Sequence, residues 1–337
     1  MSEPDLARLL AEIGEQPAVI AGLLERQNDP VQALARLIRQ RDPRAIVLVA
    51  RGSSDNAAVY GRYLFEVCNR RLTSLAAPSS LTLYGRGPRL DDTLVIGVSQ
   101  SGRGEDVVSY VREARQQGAI TVGIVNDEHS LLASTAEWLL PCLAGPELSI
   151  PATKTVTAEM TLLAMLSQAL SEPADQQANL DRLSRGVERA LAFRAHATQL
   201  AQQLRNTTVA AVIGRGFAFP PALEIALKLK ETSYTRAEPF SAADFLHGPV
   251  AIVEPNFSTL VLDVGGRSSQ AAEEIGEAVS ARGGQPVFLR AGDYGVAESY
   301  APIVALVLGQ LLAIELALSL GLDPARPRGL RKVTSTR

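Results

Sequence analysis

Residues 45–54 have the sequence AIVLVARGSS, in which a short apolar run ends in a glycine turn and two serines. A stretch with helical character, residues 56–68, follows directly. A strand, a glycine turn and a helix in this order form the opening unit of a doubly wound parallel sheet. Because the strand is apolar along its whole length, we expect a sheet that helices cover on both faces.

The alternation of strands and helices continues on both sides of this stretch. Apolar residues at helical spacing predict a helix over 6–27 and a second one after Asn28-Asp29-Pro30. Beyond the first strand we predict strands at 94–98, 120–125 and 138–141 and a helix at 105–117. Such a succession is typical of an α/β fold with a parallel sheet.

A second copy of the pattern follows a long helical region at 155–204. A predicted strand at 209–213 leads into Gly214-Arg215-Gly216 and a helix at 221–231, so Arg215-Gly216 repeats the Arg51-Gly52 of the first copy. The second copy is completed by predicted strands at 260–264 and 287–289 and a helix at 301–322. A repeat with the period of one domain indicates a duplication rather than a solenoid. The segment Ser-Glu-Pro-Ala-Asp at 171–175 interrupts the helical pattern and marks the expected boundary.

The composition limits the function classes. A chain of 337 residues fits two domains of ordinary size. With 33 basic and 36 acidic side chains the net charge is −3, which excludes a basic nucleic-acid-binding surface. The two cysteines, Cys68 and Cys142, have neither metal nor redox spacing and suit a reducing compartment. The acidic N-terminus has no signal-peptide pattern, so we expect a cytoplasmic protein.

One segment has the length and apolar character of a membrane span, residues 301–322. Gln310 and Glu315 lie in its middle, where lipid would disfavour them. We therefore expect a helix buried between domains or subunits and no contact with a membrane.

Two serine clusters follow predicted strands of the first copy. Ser53-Ser54 comes after the first strand, and Ser99-Gln100-Ser101-Gly102 comes after the strand at 94–98. Open α/β sheets bind ligands at the carboxyl ends of their strands, so the clusters should meet in one crevice. Hydroxyls together with backbone amides form a neutral cradle for a phosphate. The alternative is that these residues only cap helices.

The predicted helix at 221–231 carries ionisable residues on one stripe. Glu224, Lys228 and Glu231 are spaced by four and then three positions among apolar neighbours. A surface ladder of ion pairs is the alternative. His247-Gly248-Pro249 follows, between a predicted short helix and a predicted strand at 250–253. A histidine near a carboxylate is the natural proton carrier at neutral pH, although a lone histidine is more often structural.

The roles of two lysines remain open at this point. Lys154 lies in Pro151-Ala152-Thr153-Lys154-Thr155, where the threonines could cap the next helix and the lysine could be solvated surface charge. Lys332 lies in the basic stretch 326–337 and is either tail charge or a reactive amine.

Taken together and in order, these motifs resemble the sugar isomerase (SIS) family. The likeness is more specifically to the isomerase half of glucosamine-6-phosphate synthase and to SIS-type glucosamine-6-phosphate deaminases. It rests on Glu15-Gln16-Pro17, Arg51-Gly52-Ser53-Ser54, Ser99-Gln100-Ser101-Gly102, Ala152-Thr153-Lys154, Ala226-Leu227-Lys228-Leu229-Lys230-Glu231, His247-Gly248-Pro249 and Pro327-Arg328-Gly329-Leu330-Arg331-Lys332.

The resemblance implies a fold and a set of site residues. It implies two tandem SIS domains, each a doubly wound, flavodoxin-like parallel sheet: 1–175 with the N-terminal helices, 176–325 with the catalytic helix, and a closing tail at 326–337. Glu231 would move a proton between C1 and C2, Lys228 would steady the developing charge, and Lys332 would reach the sugar carbonyl. His247 would assist ring opening from the partner subunit of a homodimer. Substrate would be held by Gly52, Ser53, Ser54, Ser99, Gln100, Ser101, Gly104, Ala152 and Lys154.

The sequence departs from the family pattern at two positions. Gly104 stands where the family often has a serine or threonine whose hydroxyl binds phosphate, and Ala152 stands where a serine is common. The phosphate affinity or the choice of substrate should differ accordingly.

The expected reaction is the conversion of glucosamine 6-phosphate to fructose 6-phosphate and ammonia, without metal or redox cofactor. The chain carries no glutaminase segment, and residue 2 is serine rather than the cysteine that such a segment exposes. A fructosamine-6-phosphate deglycase or another aldose–ketose phosphosugar isomerase is the first alternative. A non-catalytic sugar-phosphate-binding regulator is the second, although a regulator has no need of Glu231, His247 and Lys332 together.

Overall fold

A computed structural model describes residues 3–171, 180–206, 209–255 and 257–332. These residues group into two compact units. The first unit comprises residues 18–147 and 154–171, and the second comprises residues 3–17, 148–153 and the described residues from 180 to 332. Residues 3–17, which we assigned to the first domain, thus group with the second unit. The boundary expected at 175 falls outside the described residues and stays a prediction.

The first unit contains a five-stranded parallel sheet in the order β2-β1-β3-β4-β5. Its strands are β1 (Ala45–Val49), β2 (Thr73–Leu75), β3 (Thr93–Ser99), β4 (Ile120–Val125) and β5 (Trp138–Pro141). This order is that of the flavodoxin-like doubly wound fold, and the predicted fold class is confirmed. Strands β3 and β4 are buried along nearly their whole length, as their apolar sequences require.

Along the chain, helices precede the strands of this sheet, connect them and follow the last one. They are α1 (Glu3–Gly14), α2 (Gln16–Arg26), α3 (Asn28–Arg41), α4 (Ser53–Val67), α5 (Ser79–Thr82), α6 (Glu105–Gln116), α7 (Leu131–Thr135) and α8 (Lys154–Leu170). Helix α8 is apolar on nearly every side and is buried over most of its length. The core beside α6 is built from residues such as Val95, Tyr110 and Val111, which are almost wholly buried.

The second unit contains a four-stranded parallel sheet in the order β7-β6-β8-β9. Its strands are β6 (Val209–Gly214), β7 (Arg236–Ser241), β8 (Ser258–Asp263) and β9 (Gln285–Arg290). The order matches that of the first four strands of the other sheet, with β6 in the place of β1 and β8 in the place of β3. The predicted duplication is therefore present in the topology.

The helices of the second unit beyond α8 are α9 (Leu183–Leu191), α10 (Arg194–Leu204), α11 (Phe219–Thr232), α12 (Ala242–Leu246), α13 (Ser268–Ser280) and α14 (Ala301–Ser319). One expectation was wrong here. Residues 250–253, predicted as a strand, lie largely in a 3₁₀ helix, Pro249–Ile252. Proline has no N–H to donate to a strand ladder, and its fixed φ suits the first turn of a helix.

Helix α14 is the apolar segment that has the length of a membrane span. Within the described residues it is the one helix that meets this test, and 94% of its most apolar window is buried inside the structure. Its polar side chains are hydrogen-bonded: Gln310 Oε1 accepts from Gln16 Nε2 at 2.9 Å, and Glu315 Oε1 accepts from Arg194 Nε at 2.7 Å. The predicted burial of this helix is confirmed, but it lies in the core of the second unit, whereas we expected a place between domains or subunits.

Candidate active site

The turn after β1 is shaped by Gly52 and tied down by Arg51. Gly52 has φ +61°, a left-handed conformation that favours glycine, and α4 begins at the next residue. Arg51 donates to Asp106 Oδ2 from Nε at 2.9 Å and from Nη2 at 2.7 Å, and Thr82 donates to the other carboxylate oxygen at 2.8 Å. Burial acts to raise the pKa of Asp106, but these hydrogen bonds and the Arg51 charge outweigh it and lower the pKa. The Asp106 carboxylate thus fixes the strand end to the start of α6.

The loop after β3 carries the second serine cluster. Gly102 has φ +59°, and a Cβ placed there would lie 2.1 Å from Ser130 Oγ, so this turn accepts glycine alone. Ser99 Oγ accepts a hydrogen bond from the Gly102 N–H at 3.1 Å and keeps its own proton to donate. Ser99, Gln100 and Ser101 are partly exposed.

The two serine clusters are neighbours. Strands β1 and β3 pair in parallel, and Val49, the last residue of β1, lies opposite Gly97, two residues before the end of β3. Both loops therefore leave the same edge of the sheet, at the switch point where α/β folds bind ligands. The structure brings Ser53, Ser99 and Ser101 to one end of the first unit, as their positions after the strands predicted.

Ser54 differs from the other serines. Its hydroxyl donates to Glu159 Oε1 of α8 at 2.8 Å, and both side chains are buried. A phosphate oxygen needs a donor, and this hydroxyl already gives its proton to a carboxylate. The side chain of Ser54 therefore fixes α4 to α8, and only its backbone remains suited to an anion. Sequence reasoning missed Glu159, for which the only signal was a carboxylate in an otherwise apolar helix.

Gly104 is the N-cap of α6 and leaves room for a side chain. Its φ of −66° is available to any residue, and a Cβ placed there would have no neighbour within 4 Å. Its carbonyl accepts from the N–H groups of Val107 and Val108 at 3.1 and 3.0 Å. The missing family hydroxyl can therefore be added without disturbing the turn.

We predict that Gly104→Ser strengthens the binding of inorganic phosphate and of glucosamine 6-phosphate about tenfold. A hydrogen bond to a charged group contributes about 1.5–3 kcal/mol, and 1.4 kcal/mol corresponds to a factor of ten. Titration calorimetry measures the dissociation constants. Gly14→Ser is the matched control, because Gly14 also has open space for a Cβ but lies at the end of α1. Unchanged or weaker binding in Gly104→Ser would remove Gly104 from the phosphate cradle.

The residues of the Ala-Thr-Lys motif lie at the start of α8. Lys154 is only 2% exposed, so the alternative of a solvated surface charge was wrong. Ala152 is partly exposed and groups with the second unit, whereas Lys154 groups with the first. Thr155 does not act as a cap by itself; its N–H and its hydroxyl donate to the buried Glu147 carboxylate at 3.1 and 2.8 Å. Glu147 thus holds the first turn of α8.

Helix α11 carries a buried triad of charges. The Lys228 Nζ lies 3.3 Å from Glu224 Oε1 and donates to Glu231 Oε2 at 2.5 Å. The side chains of Glu224 and Lys228 are 1% and 3% exposed, and that of Glu231 is 21% exposed. Burial acts to lower the pKa of Lys228, but the two carboxylates outweigh it and raise the pKa above its ordinary value. The surface-ladder alternative was therefore wrong, and a charged ammonium inside the unit holds both carboxylates.

His247 lies at the end of α12 and is exposed. The backbone N–H of His247 donates to the backbone carbonyls of Ala243 and Asp244 at 3.3 and 3.2 Å, and these bonds end the short helix. Within the described residues its ring has no hydrogen bond to the charges of α11. Within one chain, therefore, the His247 imidazole is not hydrogen-bonded to Glu231.

The segment leading to Lys332 is anchored to the second unit. Arg326 pairs with Asp5, and the Arg328 N–H donates to the Tyr234 hydroxyl at 2.9 Å. The Arg328 guanidinium lies 4.3 Å above the centre of the Tyr234 ring, a cation–π arrangement. Within the described residues, the segment expected to close over the site at 326–337 is thus held at Arg326 and Arg328, and its closure stays a prediction. Lys332 is the last described residue, and the rest of the tail lies outside the described ranges.

No group of three or more His, Cys, Asp or Glu side chains that could hold a metal ion occurs in the described part of the chain. Burial raises the pKa of the Cys68 thiol and, more strongly, that of the Cys142 thiol. Raised values favour the unreactive thiol form of both residues.

The family follows from comparison with known proteins. The family profile described as the SIS domain matches residues 37–169 and 203–293. The chain belongs to the SIS family. The two matched segments contain β1 to β5 and β6 to β9, so the duplicated sheets are the two SIS domains.

Curated relatives of this SIS protein include glutamine–fructose-6-phosphate aminotransferase (isomerizing) of Thermococcus kodakarensis. The two are 32% identical over 345 residues, which cover 96% of this chain and 57% of that protein. The chain thus spans little more than half the length of the curated relatives it matches.

Solved structures resemble the SIS protein along almost its whole length. One, named as a candidate phosphosugar isomerase from Silicibacter pomeroyi DSS-3, has a TM-score of 0.85 at 30% identity and covers 94% of this chain and 99% of that one. Glucosamine-6-phosphate deaminase from Thermotoga maritima has a TM-score of 0.79 at 21% identity and covers 98% and 100%. At 21% identity the likeness concerns the fold alone.

Proposed function

We propose that this SIS protein is a phosphosugar isomerase of the deaminating type, which converts glucosamine 6-phosphate and water to fructose 6-phosphate and ammonia. The observation that carries the proposal is the charge triad of α11, in which a buried ammonium holds one enclosed and one accessible carboxylate. The names of the relatives, an isomerizing aminotransferase of fructose 6-phosphate and a candidate phosphosugar isomerase, support a phosphosugar substrate.

Glu231 is the base in this proposal. It is the member of the triad that a substrate can approach, since Glu224 and Lys228 are almost wholly enclosed. The hydrogen bond from Lys228 at 2.5 Å orients the carboxylate. A positioned carboxylate of this kind is suited to remove a proton next to a carbonyl group.

The proposed reaction moves a proton from C2 to C1 of the sugar and then hydrolyses the product. Glu231 takes the proton from C2 of the open-chain sugar, the C–H electron pair forms a C1–C2 double bond, and the C1 carbonyl oxygen takes up a proton. Return of the proton to C1, together with loss of one N–H proton from the C2 amine that balances the proton taken up by the carbonyl oxygen, leaves a C2 ketimine. One water molecule then hydrolyses the ketimine to the ketose and ammonia. Lys228 would balance the charge that develops near Glu231, and Lys332 would contact the carbonyl oxygen.

The serine loops of the first unit would bind the phosphate. Ser99 and Ser101 are partly exposed residues, and backbone N–H groups lie at the starts of α4 and α6. Ser53, Gln100, Gly104, Ala152 and Lys154 would complete the substrate contacts. Ser54 would contribute through its backbone, because its hydroxyl donates to Glu159.

A coupled assay for ammonia and fructose 6-phosphate tests the proposal. We expect both products in equal amounts from glucosamine 6-phosphate, without added glutamine. Product formation from a 6-phosphorylated fructose–amine conjugate alone would favour the deglycase, and aldose–ketose conversion without ammonia would favour a simple isomerase. Tight binding of the sugar phosphates without any turnover would contradict an enzyme and favour a regulator.

The proposed role of His247 requires a homodimer. Because this exposed imidazole has no bond to the α11 charges of its own chain, we propose that it serves the partner's Glu231. An isologous dimer then has two sites, each with Glu231 from one subunit and His247 from the other.

We predict that mixing inactive Glu231→Gln and His247→Ala chains restores about a quarter of the wild-type activity. Random exchange makes half of the dimers hybrids, and each hybrid has one intact site of two. The ammonia assay measures the recovery, and native mass spectrometry confirms that the hybrids form. Hybrids without activity would place both residues in the site of a single subunit.

A further inference from the structure

The second sheet has a switch point of its own. Strand β6 pairs with β7 on one side and with β8 on the other, as β1 pairs with β2 and β3 in the first sheet. The crevice beyond the carboxyl ends of β6 and β8 is therefore the counterpart of the one lined by the serine loops. Open α/β sheets bind ligands at this position.

A cavity of about 390 Å³ lies at the carboxyl ends of β6 and β8. Its volume falls in the range of sites for small metabolites. The residues around it come from the turn after β6, from the first turns of α13 and from the loop before α14: Arg215, Gly216, Arg267, Ser268, Gln270, Ala271, Glu274 and Glu298.

Arg215, which follows β6, differs in its ion pairing from Arg51, which follows β1. In the first unit, Arg51 is neutralised by Asp106, the second residue of α6. The second residue of α13 is Ser269, whose hydroxyl donates to Asp263 at 2.8 Å. Arg215 therefore lacks the carboxylate that occupies Arg51. Arg215 and Arg267 are both exposed, and neither guanidinium has an ion-pair partner among the described residues.

The acidic residues of the cavity are already engaged. Glu298 accepts from the N–H groups of Arg267 and Ser268, each at 3.0 Å, and so closes the N-terminus of α13. Glu274 accepts from the Gln270 amide at 2.9 Å. The cavity thus presents two uncommitted guanidinium groups beside carboxylates that already have donors. This arrangement favours an anion, held by the arginine side chains rather than by the helix terminus.

We propose that this crevice is a second binding site for a phosphomonoester, separate from the serine loops. Guanidinium groups bind phosphate by paired N–H donors, and Arg215 and Arg267 supply two of them at one cavity. Gln270 and Glu274, which are hydrogen-bonded to each other at 2.9 Å, would contact the hydroxyls of the attached group through their remaining amide and carboxylate atoms. The site takes no part in the proton transfer, and its existence does not depend on the reaction proposed above.

Equilibrium dialysis of the full chain against radiolabelled inorganic phosphate and glucosamine 6-phosphate tests the site. We expect two phosphates per wild-type chain, and we expect the double variant Arg215→Ala/Arg267→Ala to weaken one of them at least tenfold. Arg205→Ala/Arg282→Ala is the matched control, since it removes two exposed arginines of the same unit that are absent from the cavity. Ser99→Ala/Ser101→Ala should weaken the other phosphate and leave this one intact.

Two further arms identify the ligand. Unphosphorylated glucosamine should not bind at the second site. Comparison of the affinities for 5′-AMP and for glucosamine 6-phosphate shows whether the site prefers a phosphate carried by a nucleoside or by a sugar. Phosphate binding that is unchanged in Arg215→Ala/Arg267→Ala, whether the wild-type chain binds one phosphate or two, would overturn the proposal. The ammonia assay is independent of this stoichiometry, so a failure here and a failure of the proposed reaction are told apart.

Discussion

Replacement of Glu231 by glutamine should lower the turnover of glucosamine 6-phosphate by about two to four powers of ten. Glutamine keeps the size of the side chain and still accepts a hydrogen bond from Lys228, but it cannot take up the C2 proton. The side chain is 21% exposed, so the change should alter the site without unfolding the helix. Steady-state kinetics by the ammonia assay give the change in kcat.

The binding of substrate should change much less than the turnover. The phosphate is proposed to bind to the serine loops and not to Glu231, so the dissociation constant should stay within a few-fold of the wild-type value. Glu254→Gln, which removes an exposed carboxylate elsewhere in the second unit, should keep full activity. Exchange of the C2 proton with deuterated water, followed by NMR, gives a second readout. Normal exchange in Glu231→Gln would assign the proton transfer to another group.

Most strands could be predicted from the sequence, including the edge strands β5 and β9, but the edge strands β2 and β7 could not. Strands β3 and β4 are buried and apolar, and their patterns are unambiguous. Strand β2 has three residues, and β7 contains a proline and two charged residues. Both lie at the edge of their sheets, where one side of the strand stays unpaired and apolar residues are not required. Their pairing depends on β1 and β6, which no local pattern encodes.

The candidate site, like the strands, could be predicted from the sequence only in part. The spacing of Glu224, Lys228 and Glu231 predicted that they share one face of a helix, because spacing is a local property. It did not predict their burial, which depends on the elements packed around α11. The bond from Ser54 to Glu159 joins residues 105 positions apart and has no signature in either segment. The burial of Lys154 is likewise a tertiary property.

The burial of Lys228 leads to the largest expected effect on stability. Lys228→Met should lower the free energy of unfolding at neutral pH by about 3–5 kcal/mol, because it leaves the enclosed Glu224 carboxylate without its counter-charge. Methionine fills a similar volume, so a cavity contributes little. Lys230→Met is the matched control: it lies two residues away on the same helix, is exposed, and should change stability by less than about 0.5 kcal/mol.

Chemical denaturation at several pH values measures this contribution and its sign. The pKa of Lys228 is raised in the folded chain, so the ammonium contributes fully below the pKa of the unfolded chain and is lost as the pH rises through the folded value. The difference between wild type and Lys228→Met should therefore persist from neutral to moderately alkaline pH and shrink only in strong alkali. A difference that vanished already near neutral pH would contradict a protonated buried lysine.

A second variant separates the structural role of Lys228 from its proposed role in the reaction. In Glu224→Gln/Lys228→Met the enclosed carboxylate is also neutral, so most of the lost stability should return. Turnover should stay low, since no ammonium remains beside Glu231. Recovery of both stability and turnover in the double variant would mean that Lys228 serves only to neutralise Glu224. Recovery of stability alone supports the assignment of Lys228 to the charge that develops during proton transfer.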